Sequence, residues 1–149
     1  MDNKPRVLFL STGNATRSEM AEGFLRSVAG ERFIAVSAGL ESNVASPPAL
    51  EVMREAGVDI GSQRAKSVKE SLREHFGYVV TIFDSRREKS PTFPFSPNLL
   101  KWSVPDAATD DRPSDQTKEE FRRIRDQIKD RVMQFVRDVT PRPEGHAPA

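Results

Sequence analysis

No cysteine occurs among the 149 residues of the chain. This absence excludes disulfide bonds, cysteine-ligated zinc and any thiol chemistry in the chain as it stands. The sequence also lacks a run of the roughly 18 apolar residues that a membrane-spanning helix needs. Its first residues, MDNKPR, form no apolar signal core. A cytoplasmic protein without a membrane partner is therefore expected.

Excess charge of either sign is absent as well. The chain has 23 Lys and Arg against 22 Asp and Glu, which gives a net charge of +1 at pH 7. Within residues 117–139 basic and acidic side chains interleave, a pattern typical of a solvated helix face rather than a nucleic-acid patch. Histidine is scarce, and no motif places His75 or His146 near the candidate loop between the first strand and the first helix. The composition thus predicts no nucleic-acid partner.

The sequence does contain a regular alternation of short apolar segments and amphipathic segments, which predict strands and helices respectively. The predicted strands are Arg6–Leu10, Phe33–Ser37, Tyr78–Phe83 and Leu99–Ser103, and the predicted helices are Ser18–Ala29, Pro47–Gly57, Ser67–Glu74 and Thr117–Val139. This order predicts an α/β fold in which a parallel sheet is flanked by helices. We expect one domain over residues 1–140 and a disordered tail over residues 141–149.

The stretch STGNATRS, Ser11 to Ser18, lies between the first predicted strand and the first predicted helix. Ligands of parallel sheets bind beyond the carboxyl ends of the strands. Backbone N–H groups at a helix N-terminus form an anion site, and Arg17 adds a planar set of donors suited to an oxyanion. Spacing alone leaves open a plain turn with a solvent-facing arginine. The stretch has neither the GxxxxGK[ST] nor the GxGxxG form, which disfavours nucleotide binding.

The longer segment VLFLSTGNATRSEMAEGF, which begins at Val7, resembles the N-terminal signature of the low-molecular-weight protein tyrosine phosphatases and of the related thioredoxin-coupled arsenate reductases. That signature is a cysteine, five residues, then Arg-Ser. The resemblance continues through SAG, ALEVMREAGVDIGSQRAKSV, YVVTIFDSRREKSPTFP and LLKWSVPDAA, in the same order along the chain, to about Val139. It implies a phosphotyrosine phosphatase I-like fold with a four-stranded parallel sheet flanked by helices.

The resemblance also implies roles for individual residues. Arg17 matches the arginine that holds the oxyanion, and Ser18 matches the hydroxyl that helps to keep the nucleophile ionised. Asp106, in WSVPDAA, matches the aspartate that protonates the leaving group. The implied partners are phosphate, sulfate or arsenate, and a phosphorylated protein, with no cofactor. The implied oxyanion-binding loop consists of Ser11, Thr12, Gly13, Asn14, Ala15, Thr16, Arg17 and Ser18.

Ser11 stands where this family has its nucleophilic cysteine. A cysteine beside a cation and a helix N-terminus becomes a thiolate near neutral pH, whereas a serine hydroxyl needs a general base. The sequence places no such base near the loop, so we expect little or no turnover. Two origins of Ser11 stay open, namely an engineered Cys→Ser change that traps the enzyme and a natural loss of the cysteine.

The substrate class depends on a second pair of positions. The arsenate reductases relay a disulfide to thioredoxin through two further cysteines, and Phe83 and Ser90 stand at those positions. Ala107 and Ala108, in contrast, resemble the reductase branch. The leading hypothesis is a phosphatase-like protein whose phosphomonoester hydrolysis is silenced by Ser11. The alternatives are an arsenate reductase family member without the thioredoxin relay, and a non-catalytic oxyanion or phosphoprotein binding module.

Some reductases of this group hold a potassium ion under the loop with an asparagine, a glutamate, a serine and an aspartate. Asn14, Glu22 and Ser37 match the first three, and Lys66 stands at the fourth position. The lysine ammonium could replace the ion near Glu22. The alternative is a surface lysine without a role. Both interpretations predict that no metal is bound.

Overall fold

The computed structural model describes residues 4–14, 16–41, 47–63, 66–71, 73–86, 98–105 and 114–139. The strands are β1 (Arg6–Asn14), β2 (Ile34–Glu41), β3 (Lys66–Ser67), β4 (Tyr78–Phe83) and β5 (Leu99–Ser103). The helices are α1 (Thr16–Ala29), α2 (Pro47–Glu55), α3 (Val68–Ser71) and α4 (Ser114–Val139). The predicted tail at 141–149 lies outside the described residues.

All strand pairings in the sheet are parallel, and the strand order is β3-β2-β1-β4-β5. The predicted four-stranded parallel sheet flanked by helices is confirmed, with β3 as an additional two-residue strand at one edge. The sequence pattern missed β3 because two residues carry no periodicity. Its strand character comes from pairing with Ala38 and Gly39 of β2.

The two elements around the candidate loop are longer than predicted. Strand β1 does not end at Leu10 but continues through Ser11, which pairs with Gly39 on one side and Ile82 on the other. Backbone pairing on both sides extends the strand beyond its apolar run, because hydrogen bonding does not depend on the side chain. Helix α1 begins at Thr16 rather than Ser18. Arg17 therefore lies in the first turn of the helix.

Helix α2 ends at Glu55, two residues before the predicted end at Gly57. Gly57 has a φ of 81°, and its N–H donates to Arg54 O at 2.9 Å while Val58 N–H donates to Met53 O at 3.0 Å. These two bonds form a Schellman motif, in which glycine adopts the left-handed conformation just after the helix. Of the remaining elements, α3 is shorter and α4 longer than predicted, and β2 extends to Glu41.

The core divides between the two faces of the sheet. Because successive side chains of a strand point to opposite faces, Val7 and Phe9 pack in one cluster and Leu8 and Leu10 in another. The first cluster is the larger one, and it contains Met20 and Phe24 of α1, Val52 and Met53 of α2, and Ile124 and Ile128 of α4. Ser11 follows the alternation of Phe9 and so points toward the face that α1 covers.

An ion-pair network joins α2 to α4. Arg122 donates through Nε and NH2 to the two carboxylate oxygens of Glu55, both at 2.9 Å, and Arg125 NH1 donates to Glu55 at 3.1 Å. The hydrogen bond from Arg122 is the main cause that lowers the pKa of Glu55 from its ordinary value of 4.5 to about 2. Because a lowered pKa favours the folded state only while the carboxylate is ionised, the stabilisation is present above the unfolded pKa and is lost as the pH falls through the folded pKa.

Glu55→Gln is therefore expected to lower Tm at neutral pH, with a difference from the parent that shrinks as the pH falls from about 4.5 toward about 2. The effect is modest because the pair is solvent-exposed. Thermal unfolding followed by circular dichroism over this pH range measures it. Glu31→Gln removes another exposed carboxylate as a control. A Tm difference between Glu55→Gln and the parent that stays constant with pH would contradict the lowered pKa of Glu55.

Candidate anion-binding site

Ser11 lies at the topological switch point of the sheet. From β1 the chain adds β2 and β3 on one side, and it then returns to add β4 and β5 on the other side. In open parallel sheets this arrangement creates a crevice beyond the carboxyl end of the central strand. Ser11 is fully buried in that strand, and α1 begins five residues later along the chain.

A chain of hydroxyl groups begins at Ser11. Ser11 Oγ lies 2.9 Å from Ser18 Oγ, and Ser18 Oγ lies 3.1 Å from the carbonyl oxygen of Ala38. A carbonyl can only accept, so Ser18 gives its single proton to Ala38. Ser11 is then the donor in its bond to Ser18. The chain ends at a carbonyl oxygen, which is not a base, so these contacts do not activate the Ser11 hydroxyl.

The histidine that the structure describes lies at the wrong place to supply a base. His75 precedes β4, and the first residue of β4, Tyr78, pairs with Val7 near the start of β1. This is the amino end of the strands, whereas Ser11 faces the carboxyl end. His146 lies outside the described residues.

Arg17 is completely buried in the first turn of α1. Its NH1 donates to the carbonyl oxygen of Val104 at 2.9 Å. Val104 follows β5, and its own N–H donates to Phe83 O at 2.8 Å. The hydrogen bond from Arg17 therefore ties the start of α1 to the backbone two residues before Asp106. The sequence gives no signal for this contact, because a backbone carbonyl is present at every position.

The structure brings some of the predicted site residues together and does not describe others. Ser11, Arg17 and Ser18 converge where β1 leads into α1, and Thr16 is buried at the start of α1. The backbones of Thr12, Gly13 and Asn14 belong to β1. Ala15 and Asp106 lie outside the described residues, as does Ser90. The oxyanion-binding role of the loop and the acid role of Asp106 stay predictions.

A carboxylate that sequence reasoning missed lies at the carboxyl end of the strands, as Ser11 does. Asp84 comes two residues after Ile82, the partner of Ser11 on β4, and its side chain is buried. It accepts bonds from the backbone N–H of Arg86 at 3.0 Å and from the Arg86 guanidinium at 3.2 Å. The hydrogen bonds to Asp84 raise the pKa of Arg86. Its position directly after the predicted strand Tyr78–Phe83 was the available signal.

Glu22 and Ser37, two of the residues matched to the potassium site of some reductases, are brought together. Ser37 Oγ donates to Glu22 Oε1 at 2.6 Å, and Arg26 NH1 donates to Glu22 Oε2 at 3.0 Å. Burial raises the pKa of Glu22, although both bonds oppose the rise. Sequence reasoning missed Arg26, which its i,i+4 spacing from Glu22 on a helix could have indicated. Lys66 contributes its backbone to β3.

Two features are absent from the described part of the chain. No group of three or more His, Asp or Glu side chains among these residues is arranged to hold a metal ion. No helix among them has the length and apolar character that would allow it to cross a membrane.

Comparison with known proteins identifies the family. Residues 6–143 match the family described as low molecular weight phosphotyrosine protein phosphatase. The chain belongs to this family.

Similar proteins of known name include several bacterial arsenate reductases. The chain is 32% identical over 134 residues to an arsenate reductase of Halalkalibacterium halodurans. The matched region covers 90% of this chain and 96% of the relative. The chain is 33% identical over 135 residues to arsenate reductase 2 of Staphylococcus saprophyticus, with coverage of 89% and 97%.

Solved structures from both branches share the fold. An arsenate reductase in the phosphate binding state superposes with a TM-score of 0.75 at 27% identity, covering 91% of this chain and 99% of that chain. A low molecular weight protein tyrosine phosphatase from T. tengcongensis has a TM-score of 0.70 at 25% identity, with coverage of 91% and 100%. These two structures are thus similar to this chain to about the same degree.

Proposed function

We propose that the protein is a low-molecular-weight protein tyrosine phosphatase-like protein that binds a phosphate-type oxyanion in the segment from Ser11 to Ser18, where β1 leads into α1. The observation that carries the proposal is the pairing of Ser11 Oγ with Ser18 Oγ at 2.9 Å beside the buried Arg17. This pairing is what the family pattern requires of its nucleophile and its Arg-Ser. The phosphate-bound state of a related arsenate reductase supports the same ligand chemistry.

The binding part of the site uses charge and backbone dipoles. Loop N–H groups and the N-terminus of α1 favour an anion, and Arg17 supplies charge-assisted hydrogen bonds. The Val104 carbonyl fixes one end of the guanidinium, so little side-chain freedom is lost on binding. A neutral Ser11 adds no negative charge to the pocket, so we expect phosphate or sulfate to bind at least as well as to a cysteine form.

The chemical part of the site is incomplete in our proposal. Family chemistry is the hydrolysis of phosphate monoesters, with a thiolate as nucleophile and Asp106 as general acid. Ser11 donates its proton to Ser18, whose proton goes to the Ala38 carbonyl. A hydroxyl nucleophile needs a base that accepts this proton. We infer that Ser11 silences hydrolysis in this chain, whatever the origin of the serine.

Two other functions have specific support. The names of the bacterial relatives favour an arsenate reductase family member, one that lacks the thioredoxin relay because Phe83 cannot form a disulfide. The hydroxyl chain that ends at Ala38 favours a non-catalytic module that binds an oxyanion or a phosphorylated protein. All three functions need the anion pocket and differ only in the fate of the bound anion.

Inorganic phosphate is expected to bind the parent chain in a one-to-one complex, and Arg17→Lys is expected to raise its Kd about 10- to 100-fold. The reason is that lysine keeps the charge but loses the planar set of donors, and a charge-assisted hydrogen bond contributes roughly 1.5–3 kcal/mol. Isothermal titration calorimetry measures both constants at one ionic strength.

Arg123→Lys, an exposed arginine on α4, is the matched control and should leave Kd unchanged. Thermal unfolding shows whether each variant is folded. A folded parent that binds no phosphate, or an Arg17→Lys variant with the parent Kd, would refute the pocket.

A further inference from the structure

Arg26 occupies a position that joins three segments of the chain. Its NH1 donates to Glu22 Oε2 at 3.0 Å, and its NH2 donates to Gln63 Oε1. Gln63 in turn donates through Nε2 to the backbone carbonyl of Glu19 at 2.9 Å. Glu22 receives its other bond from Ser37 of β2. One guanidinium therefore connects α1 to the segment after α2 and, through Glu22, to β2.

The close approach of these segments depends on Gly23. A Cβ at this position would lie 2.6 Å from Ile60 Cγ2 and 3.3 Å from Gln63 Oε1, so its absence lets the 58–63 segment lie directly against α1. Gln63 is buried there. The packing thus fixes the buried Gln63 as a partner for Arg26, whose side chain is 47% exposed.

Glu22 matches the glutamate that some reductases of the family use to bind potassium. In this chain Oε2 accepts from Arg26 and Oε1 accepts the Ser37 proton. The guanidinium already neutralises the carboxylate, and a potassium ion would have to displace it against like-charge repulsion. The Glu22 side chain is 13% exposed and the Arg26 side chain is 47% exposed, so the carboxylate is largely shielded from solvent while the guanidinium reaches it from the surface. Glu22 and Ser37, the two matched residues whose side chains the structure describes, are already bonded in a way that does not fit a potassium ion.

We propose that Arg26, held by Glu22 and Gln63, is a side-chain cation in place of potassium, and that it positions α1 against β2 for anion binding. Ser37 pairs with Phe9, two residues before Ser11 on β1. The bonds from Ser37 to Glu22 and from Ser18 to Ala38 hold the first turns of α1 on β2. Arg17 and Ser18 lie in the turn so held. The consequence for anion binding rests on the proposed function, whereas the consequence for stability does not.

The test compares Tm in potassium chloride and in choline chloride at equal ionic strength, and phosphate Kd in both salts. We expect the parent to have one Tm and one Kd in the two salts. Arg26→Gln should lower Tm by about 2–6 °C and weaken phosphate binding a few-fold in choline chloride. Potassium should then restore part of both losses, because the carboxylate is no longer neutralised. Arg26→Lys keeps the charge and should stay indifferent to potassium.

Arg131→Gln, an exposed arginine on α4, is the matched control and should change neither quantity. A parent that potassium stabilises relative to choline would overturn the proposal. So would an Arg26→Gln variant that is no more sensitive to potassium than the parent, because Arg26 would then be an ordinary ion pair. If the parent binds no phosphate, the proposed function fails, and the Tm comparison still decides the role of Arg26.

Discussion

Ser11→Cys is expected to hydrolyse a small aryl phosphate such as p-nitrophenyl phosphate, whereas the chain as it stands does not. The thiol would lie on β1 three residues before the strand ends, and Arg17 lies in the first turn of α1 that follows. Such surroundings lower a thiol pKa below its free value of about 8.5. Ser18, which now donates to the Ala38 carbonyl at 3.1 Å, could rotate its hydroxyl toward the thiolate. The substitution supplies the nucleophile that our proposal takes to be missing.

The expected gain is at least on the order of 10³-fold in kcat, because loss of a hydrolase nucleophile typically costs about 10⁶. Steady-state release of nitrophenolate measures it. Ser27→Cys is the matched control, since it makes the same substitution on the exposed side of α1. If Ser11→Cys binds phosphate and stays inactive, the binding module replaces our proposal. Turnover by the parent in proportion to its concentration would show that Ser11 has an activating base.

The same variant separates the phosphatase from the reductase alternative. Phe83 and Ser90 stand at the positions of the two relay cysteines, so neither position has a thiol to resolve an intermediate. We therefore expect arsenate reduction by Ser11→Cys with thioredoxin and its reductase to stay at background. Robust consumption of the reductant would make the reductase family the better assignment.

The sheet could be predicted because its strands are short apolar runs that alternate along the sequence with amphipathic helices. Strands β4 and β5 have the predicted ends, since charged or turn-forming residues border them. The extension of β1 through Asn14 could not be predicted, because pairing with β2 and β4 causes it rather than residue type. The two residues of β3 depend on β2 in the same way.

The site was predictable to the extent that it is local in sequence. The spacing of Ser11 and Ser18 and the resemblance together place two hydroxyl groups at one turn, and the structure joins them. The Val104 carbonyl and the Gln63 amide are distant in sequence and carry no motif. Their positions follow from strand order and from the packing of segment 58–63 on α1, which no single-sequence pattern encodes.

Adding Asp106→Asn to Ser11→Cys is expected to lower kcat about 10²–10⁴-fold for an alkyl phosphate, the range that general acid catalysis typically contributes. The loss should be much smaller for p-nitrophenyl phosphate, because nitrophenolate leaves without a proton. Arg17 donates to the Val104 carbonyl, two residues before this position in the sequence, so the backbone just before the aspartate is tied to the start of α1.

The measurement is kcat for a series of phosphate monoesters with leaving groups of increasing basicity, with and without Asp106→Asn. Asp138→Asn, an exposed aspartate on α4, is the matched control and should leave the series unchanged. If Asp106 is the general acid, the loss of kcat caused by Asp106→Asn grows with leaving-group basicity. The phosphate Kd of the double variant then stays near that of Ser11→Cys. An equal loss of kcat for every leaving group would mean that Asp106 supports the fold of its segment rather than donating a proton. Asp84 would then be the first carboxylate to test as the acid, because it is buried at the carboxyl end of β4, beside the strand that carries Ser11.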